Sequence, residues 1–219
     1  MRIRFKPWAR GELEASSFYI DNPEEYKGKW NTLFKNNNPI HLELGCGKGG
    51  FISQLASQNL DTNYIAIDMV DAMLGLAKRN IESTYAEKNI PVDNVYLTRF
   101  DIERILLILD DNDKIDRIYI NFCNPWPRGK HRKKRLTHVR QLEKYRQFLK
   151  DEGKIYFKTD DDGLFNDSLL YFEQAGFEII KKTYDLASTP DFWENIETEH
   201  ERMFKEQGIK IKAVIAKKK

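Results

Sequence analysis

Two stretches carry side chains spaced for chemistry. Residues 43–50 read Glu-Leu-Gly-Cys-Gly-Lys-Gly-Gly. Gly45, Gly47 and Gly50 fit G-x-G-x-x-G, and Gly45, Gly47 and Gly49 fit G-x-G-x-G. Without a Cβ, such a loop lets the backbone approach a nucleotide cofactor closely. A phosphate-binding P-loop is disfavoured, because Lys48 is followed by Gly49-Gly50 and not by the Ser or Thr that a P-loop needs. Glu43 stands two residues ahead of the first glycine. A carboxylate there repels the pyrophosphate of a dinucleotide and suits the sulfonium and ammonium of S-adenosylmethionine (SAM). Asp68 closes the next apolar run, where an acid accepts from both ribose hydroxyls, a service common to NAD and SAM. Asp101 follows a third run; it could reach an adenine amino group or cap the helix that begins Ile-Glu-Arg-Ile. The expected cofactor is SAM, held by Glu43, Gly45, Gly47, Asp68 and Asp101.

That second stretch is Asn124-Pro125-Trp126-Pro127. It ends an apolar run and opens onto residues 128–135, six of which are Lys or Arg. Two prolines fix φ on either side of Trp126 and stiffen the turn, as a side chain held for chemistry requires. A dense cationic run binds phosphates and makes affinity salt-dependent. Lys130, Arg132, Lys133, Lys134 and Arg135 are therefore candidate contacts to a nucleic-acid backbone.

These residues need a frame to hold them. From residue 39 short apolar runs alternate with amphipathic ones. Strand-like runs fall at 40–45, 63–68, 94–100, 116–123, 153–159, 177–184 and 209–216, with helical spacing at 51–58, 72–88 and about 137–150. Strands alternating with helices predict a mostly parallel sheet covered on both faces. The last two strands lack an intervening crossover helix, so the final strand is expected to be antiparallel. Residues 1–38 stand outside this rhythm and read as an N-terminal extension with a short helix around 24–34; residues 39–219 form the domain proper. The hydrophobic share of 41% is that of an ordinary soluble chain. No apolar run approaches the roughly 18 residues of a membrane span. Cys46 and Cys123 are the only cysteines, too few for a disulfide framework. The four histidines show no metal-ligand spacing. Net charge is only +2, but the basic residues are segregated: Arg2, Arg4, Lys6 and Arg10 precede the first acid, and acids gather at 160–162 and 185–201. Such patches are compatible with a polyanionic partner.

Glu43-x-Gly45-x-Gly47, the Asn124-Pro-Trp-Pro turn with its basic run, Phe-Lys-Thr-Asp at 157–160 and Thr-Glu-His-Glu at 198–201 resemble the bacterial tRNA (guanine-N7-)-methyltransferase family. Lys-Pro-Trp-Ala near the start and residues 26–34 look like its N-terminal part. The resemblance implies a Rossmann-like class I methyltransferase: α/β, with a mostly parallel seven-stranded sheet, the last strand antiparallel and helices on both faces. It implies SAM-dependent methylation of guanine N7 in the variable loop of tRNA, in the cytoplasm, by a monomer or homodimer with no metal and no membrane attachment. By position it assigns Glu43, Asp68, Asp101 and Asn124 to the cofactor, and Arg128, Asp160, Thr198, Glu199, His200 and Glu201 to the guanine and its surroundings. Three positions depart from the family pattern: Asn124 stands where Asp is usual and is assigned as catalytic, Asp68 where Glu is frequent, and Arg128 where Lys is usual.

Asparagine at the catalytic position is chemically tolerable. Guanine N7 has an in-plane lone pair and no proton, so its methylation needs alignment and not a general base. Three other readings remain open at this point. The asparagine raises an amino-methyltransferase acting on adenine N6 or glutamine, which carries an Asn/Asp-Pro-Pro-aromatic turn. It also raises a catalytically weakened protein that binds SAM and RNA. An NAD-dependent oxidoreductase is disfavoured by Glu43. The positioning role predicts that Asn124→Ala is severely impaired in methyl transfer while Asn124→Asp retains activity. An Asp variant that folds and binds SAM, yet transfers nothing, contradicts it.

Overall fold

The apolar runs become strands because each pairs two apolar faces against neighbours. A computed structural model describes residues 4–193 and 195–219; Arg2 and Glu194 lie outside them. The chain divides into two compact units, Met1–Asp113 and Lys114–Lys219.

The first unit contains α1 (Pro7–Glu14), β1 (Tyr19–Ile20), β2 (Ile40–Leu44), α2 (Gly50–Gln58), β3 (Asn63–Asp68), α3 (Asp71–Glu87) and β4 (Val95–Arg99). Its strands run in the order β1-β4-β3-β2, all parallel. Leu42, Leu44, Ile65, Ala66, Ile67, Val95 and Leu97 are buried, as continuous apolar runs in a parallel sheet must be. Parallel register sets Glu43 opposite Ala66 and Asp68 opposite Arg99. The carboxyl ends of β2, β3 and β4 therefore share one edge, the edge at which open α/β sheets bind ligands.

The extension supplies one helix and one strand that periodicity did not reveal. α1 starts at Pro7, a residue suited to a first turn, and packs on α3. A Cβ on Gly75 would stand 2.8 Å from that of Ala9. Arg79 lies 3.6 Å over the Trp8 ring and pairs with Glu12 through two nitrogens. β1, two residues long, brings the strand total among the described residues to eight against the expected seven; the backbone of Phe18 accepts from Leu97 and that of Ile20 from the Thr98 hydroxyl. The helix expected around 24–34 is instead two 3-10 turns, Pro23–Tyr26 and Trp30–Leu33. Gly28 between them has φ +74, which ends the first turn. The Asp113 carboxylate accepts from the N–H groups of Gly28 (2.9 Å) and Trp30 (3.1 Å), and the fully buried Trp30 indole donates to Ile108 O at 2.7 Å. Those tertiary bonds outweigh a local helical preference.

The second unit contains β5 (Ile115–Asn121), α4 (Val139–Phe148), β6 (Leu149–Thr159), α5 (Asp162–Gln174), β7 (Phe177–Thr183), α6 (Glu199–Glu206) and β8 (Lys212–Lys218). The order is β5-β6-β8-β7. β5 and β6 are parallel, while β8 runs antiparallel between β6 and β7, as expected, although the connection from β7 to β8 does carry a short helix, α6, that the sequence reading did not place. Beneath the segment that leads to α6 lies an apolar cluster of Leu186, Phe192, Ile211, Ala213 and Ile215, with Phe122, Trp193 and Phe204 against it.

Trp30→Ala removes a fully buried indole and strands a carbonyl that now accepts from it. The expected loss is about 3–5 kcal/mol of unfolding free energy, read from the denaturant midpoint. A loss below about 1 kcal/mol contradicts the anchoring role.

Candidate functional site

In the first unit the glycine loop is tied to the end of β3. Gly45 N–H and Cys46 N–H both donate to Ile67 O, at 2.8 and 3.0 Å. Gly47 N–H donates to Asp68 Oδ2 at 3.0 Å, and Val70 N–H to Asp68 Oδ1 at 3.0 Å. Gly45 and Gly47 have φ +79 and +53, the left-handed region that other residues resist, and a Cβ on either would meet nothing within 4 Å. The loop thus turns an open backbone face outward. Gly49 differs: a Cβ there would lie 2.7 Å from that of Ala77, so its absence serves the packing of α2 on α3.

Two carboxylates flank this loop. Glu43 is 2% exposed at the end of β2; Asp68 is partly exposed at the end of β3. Burial chiefly, and then the charges of Glu43 and Asp68, push the Cys46 thiol well above its usual range. Burial likewise raises the Asp68 carboxyl, against the lowering pull of its backbone N–H bonds. The field around Cys46 is therefore negative, repelling anions and attracting a cation. Asp101, just past β4, caps the following 3-10 turn by accepting from Glu103 N–H at 2.9 Å. Glu43, Asp68 and Asp101 thus lie at the carboxyl ends of three neighbouring parallel strands. These residues fit SAM: a backbone face open where a Cβ would stand, an acid ahead of the first glycine for the cationic end, and an acid after the second strand for ribose hydroxyls.

In the second unit Asn124 follows β5. Its Oδ1 accepts from Trp126 N–H at 3.0 Å, closing an Asx turn over Pro125. Trp126 has φ +42, a strained value for a tryptophan. What sustains it is Arg135, 3% exposed, whose Nε donates to Pro125 O at 2.7 Å while its Nη1 pairs with Asp167 at 2.6 Å. Arg135 was expected on the cationic stripe; its guanidinium is committed to the turn. Arg128, Lys130, Arg132, Lys133 and Lys134 are exposed, on and beside a 3-10 turn over Gly129–Lys134. Lys134 lies 5.3 Å from the Trp126 ring centre. The partly buried Cys123 thiol is pushed up to about 12, first by desolvation, with the Asp160 carboxylate adding to it. Neither cysteine is a thiolate nucleophile near neutral pH.

Asp160 follows β6, the neighbour of β5, and its backbone oxygen accepts from Lys212 at 2.9 Å. Of the acids at 160–162, Asp161 is the one that caps α5, accepting from Leu164 N–H. Thr198 and Glu201 form a capping box at the start of α6: Glu201 N–H donates to Thr198 Oγ1 (3.1 Å) and Thr198 N–H to Glu201 Oε2 (3.2 Å). Both are buried, whereas Glu199 and His200 are exposed, and His200 stacks on Phe122 at 5.6 Å between ring centres.

Sequence reasoning passed over three contributors. Lys158 is fully buried beneath residues 195–201; the sequence showed it within the Phe-Lys-Thr-Asp motif and as a lysine inside the apolar run 153–159, with no role of its own assigned. Phe122 and Asn195 gave no signal, because only the tertiary fold brings them to that lysine. Among the described residues no group of three or more His, Cys, Asp or Glu is placed to hold a metal, and no helix is long and apolar enough to cross a membrane.

Comparison with known proteins agrees with this geometry. Residues 37–214 match the family model described as "Putative methyltransferase". The chain is 62% identical to the tRNA (guanine-N(7)-)-methyltransferase of Clostridium beijerinckii, over all of this chain and 99% of that one. It is 59% identical to the protein of that name from Clostridium perfringens, over the whole of both. Among solved structures the 16S rRNA methyltransferase KamB superposes with a TM-score of 0.62 at 13% identity, over 86% of this chain and 92% of that one. At that identity the superposition speaks for the fold, a Rossmann-like class I methyltransferase. Matched over its full length at the higher identities, the chain belongs to the tRNA (guanine-N7-)-methyltransferase family.

Proposed function

We propose that this protein is a cytoplasmic enzyme that transfers a methyl group from SAM to N7 of a guanine in the variable loop of tRNA. The observation that carries the reading is the open glycine loop flanked by Glu43 and Asp68, in a chain whose relatives bear that activity in their names. Glu43 faces the cationic end of SAM, Asp68 the ribose, Asp101 the adenine, and Gly45 and Gly47 let the backbone approach. When bound, SAM supplies a methyl on a cationic sulfur, and the transfer exchanges an S–C bond for an N7–C bond with no proton moved.

Asn124 is then a positioning group. Its Oδ1 holds the turn through Trp126 N–H, and an aspartate accepts the same bond. Because A-form RNA hides N7 in a deep groove, the acceptor base is taken from a loop or drawn out of its stack. Arg128 and the exposed Lys130, Arg132, Lys133 and Lys134 bind backbone phosphates. Asp160 and the 198–201 stretch serve the guanine.

The test incubates the protein with an unmodified tRNA transcript and methyl-labelled SAM, followed by nuclease digestion. Label in N7-methylguanosine from the variable loop is expected; label in N6-methyladenosine, or none, refutes the reading. For the cationic stripe, Lys133→Ala is expected to reduce the slope of log affinity for tRNA against log salt by about 1, with SAM affinity unchanged by calorimetry. An unchanged slope removes Lys133 from the phosphate contacts.

A further inference from the structure

A lysine 0% exposed in the middle of a sheet is costly unless every N–H finds an acceptor. Lys158 on β6 meets that condition. Its Nζ donates to Glu201 Oε2 at 2.5 Å, Asn195 Oδ1 at 2.9 Å and Ile196 O at 3.1 Å, which accounts for all three ammonium hydrogens. The partners are themselves interlocked. Asn195 Nδ2 donates to Glu201 Oε1 at 2.7 Å, Trp193 Nε1 to Asn195 Oδ1 at 2.8 Å, and Thr198 N–H to Glu201 Oε2 at 3.2 Å. Both carboxylate oxygens of Glu201 are thereby occupied within the protein.

The same lysine reaches the end of β5. Its backbone oxygen accepts from Phe122 N–H at 3.0 Å, and its Nζ lies 6.0 Å from the centre of the Phe122 ring on which His200 stacks. Phe122, at φ +50, stands two residues before Asn124, and Lys158 stands two before Asp160. One buried cation thus joins the strand end carrying Asn124, the strand end carrying Asp160 and the 195–201 segment.

We propose that Lys158, through Glu201 and Asn195, is a positioning residue for the tRNA acceptor site, fixing residues 195–201 so that Thr198, Glu199 and His200 meet the guanine. This rests on the methyltransferase reading above. A buried ion pair contributes little net stability compared with apolar packing, but it selects one arrangement of the groups it joins. Glu201 in this scheme acts as the anchor's counter-charge, and the outward-facing Glu199 and His200 are the groups offered to the base.

Steady-state methyl transfer by the full-length protein tests this, with tRNA transcript and SAM varied separately, alongside melting curves and SAM calorimetry. Lys158→Met leaves an acid without its cation. Asn195→Ala cuts the bridge at an exposed position where folding is not at stake. The expected result is a KM for tRNA raised about tenfold in Lys158→Met and about threefold in Asn195→Ala, with SAM affinity and KM for SAM within about twofold of the parent. A merely structural role lowers the folded fraction, and so apparent kcat, while leaving the KM for tRNA alone. If Lys158→Met does not fold, Asn195→Ala decides by itself. A KM for tRNA within about twofold of the parent in every folded variant overturns the proposal while the function above stands. A parent protein that leaves tRNA unmethylated removes both.

Discussion

Parallel pairing of β2 with β3 and of β3 with β4 is the constraint on which the first unit of this protein depends. In a parallel ladder all carboxyl ends emerge along one edge, so acids far apart in sequence become neighbours. Glu43, Asp68 and Asp101 are separated by 25 and 33 positions, and the register alone brings them together. The glycine loop is then pinned to that edge by bonds to Ile67 O and the Asp68 carboxylate. Asp68 anchors the loop, and in the proposed function it also accepts from the ligand. Its carboxyl is raised because burial outweighs the three backbone N–H groups that favour the charged form.

The second unit is built on a different device. Its residues lie on turns and on a short helix, elements that move freely unless something inside holds them. Arg135 holds the Asn-Pro-Trp-Pro turn by Pro125 O and Asp167, and Lys158 holds the segment before α6. In both cases a cation is buried where it can satisfy several acceptors at once. Desolvation makes that expensive, and an incomplete set of acceptors would make it prohibitive. The return is a single conformation. This gives a physical meaning to a strained tryptophan at φ +42 and a strained phenylalanine at φ +50 lying close in sequence: the buried cations over-determine the backbone around them.

Arg135 also changes how the basic run is understood. Six cations within residues 128–135 read as one stripe. Five of them are exposed, and the sixth is a structural clamp. Charge counting treats the six alike, because burial depends on what the rest of the chain places around each one. Acids show the same division: Asp161 caps a helix and Asp113 anchors a 3-10 turn, while Glu43 and Asp68 set the potential of the glycine loop.

What residue order determined by itself was whatever depends on near neighbours. Seven strands are visible as apolar runs, the five parallel ones because both their faces are buried; the glycine loop and its preceding acid are visible because adjacent positions make them; the antiparallel end was expected, although the short helix α6 in that last connection was not. What only the tertiary structure decided was whatever depends on distant pairs. Trp30 and Asp113 convert an expected helix into two 3-10 turns across more than 80 positions. Ala9 and Gly75 dock an extension whose helix showed no long apolar stripe. Lys158 and Glu201, 43 residues apart, neutralise each other in the core. A buried charge is tolerable only through its partner, and no local pattern in a sequence names a partner that folding alone brings within hydrogen-bonding distance.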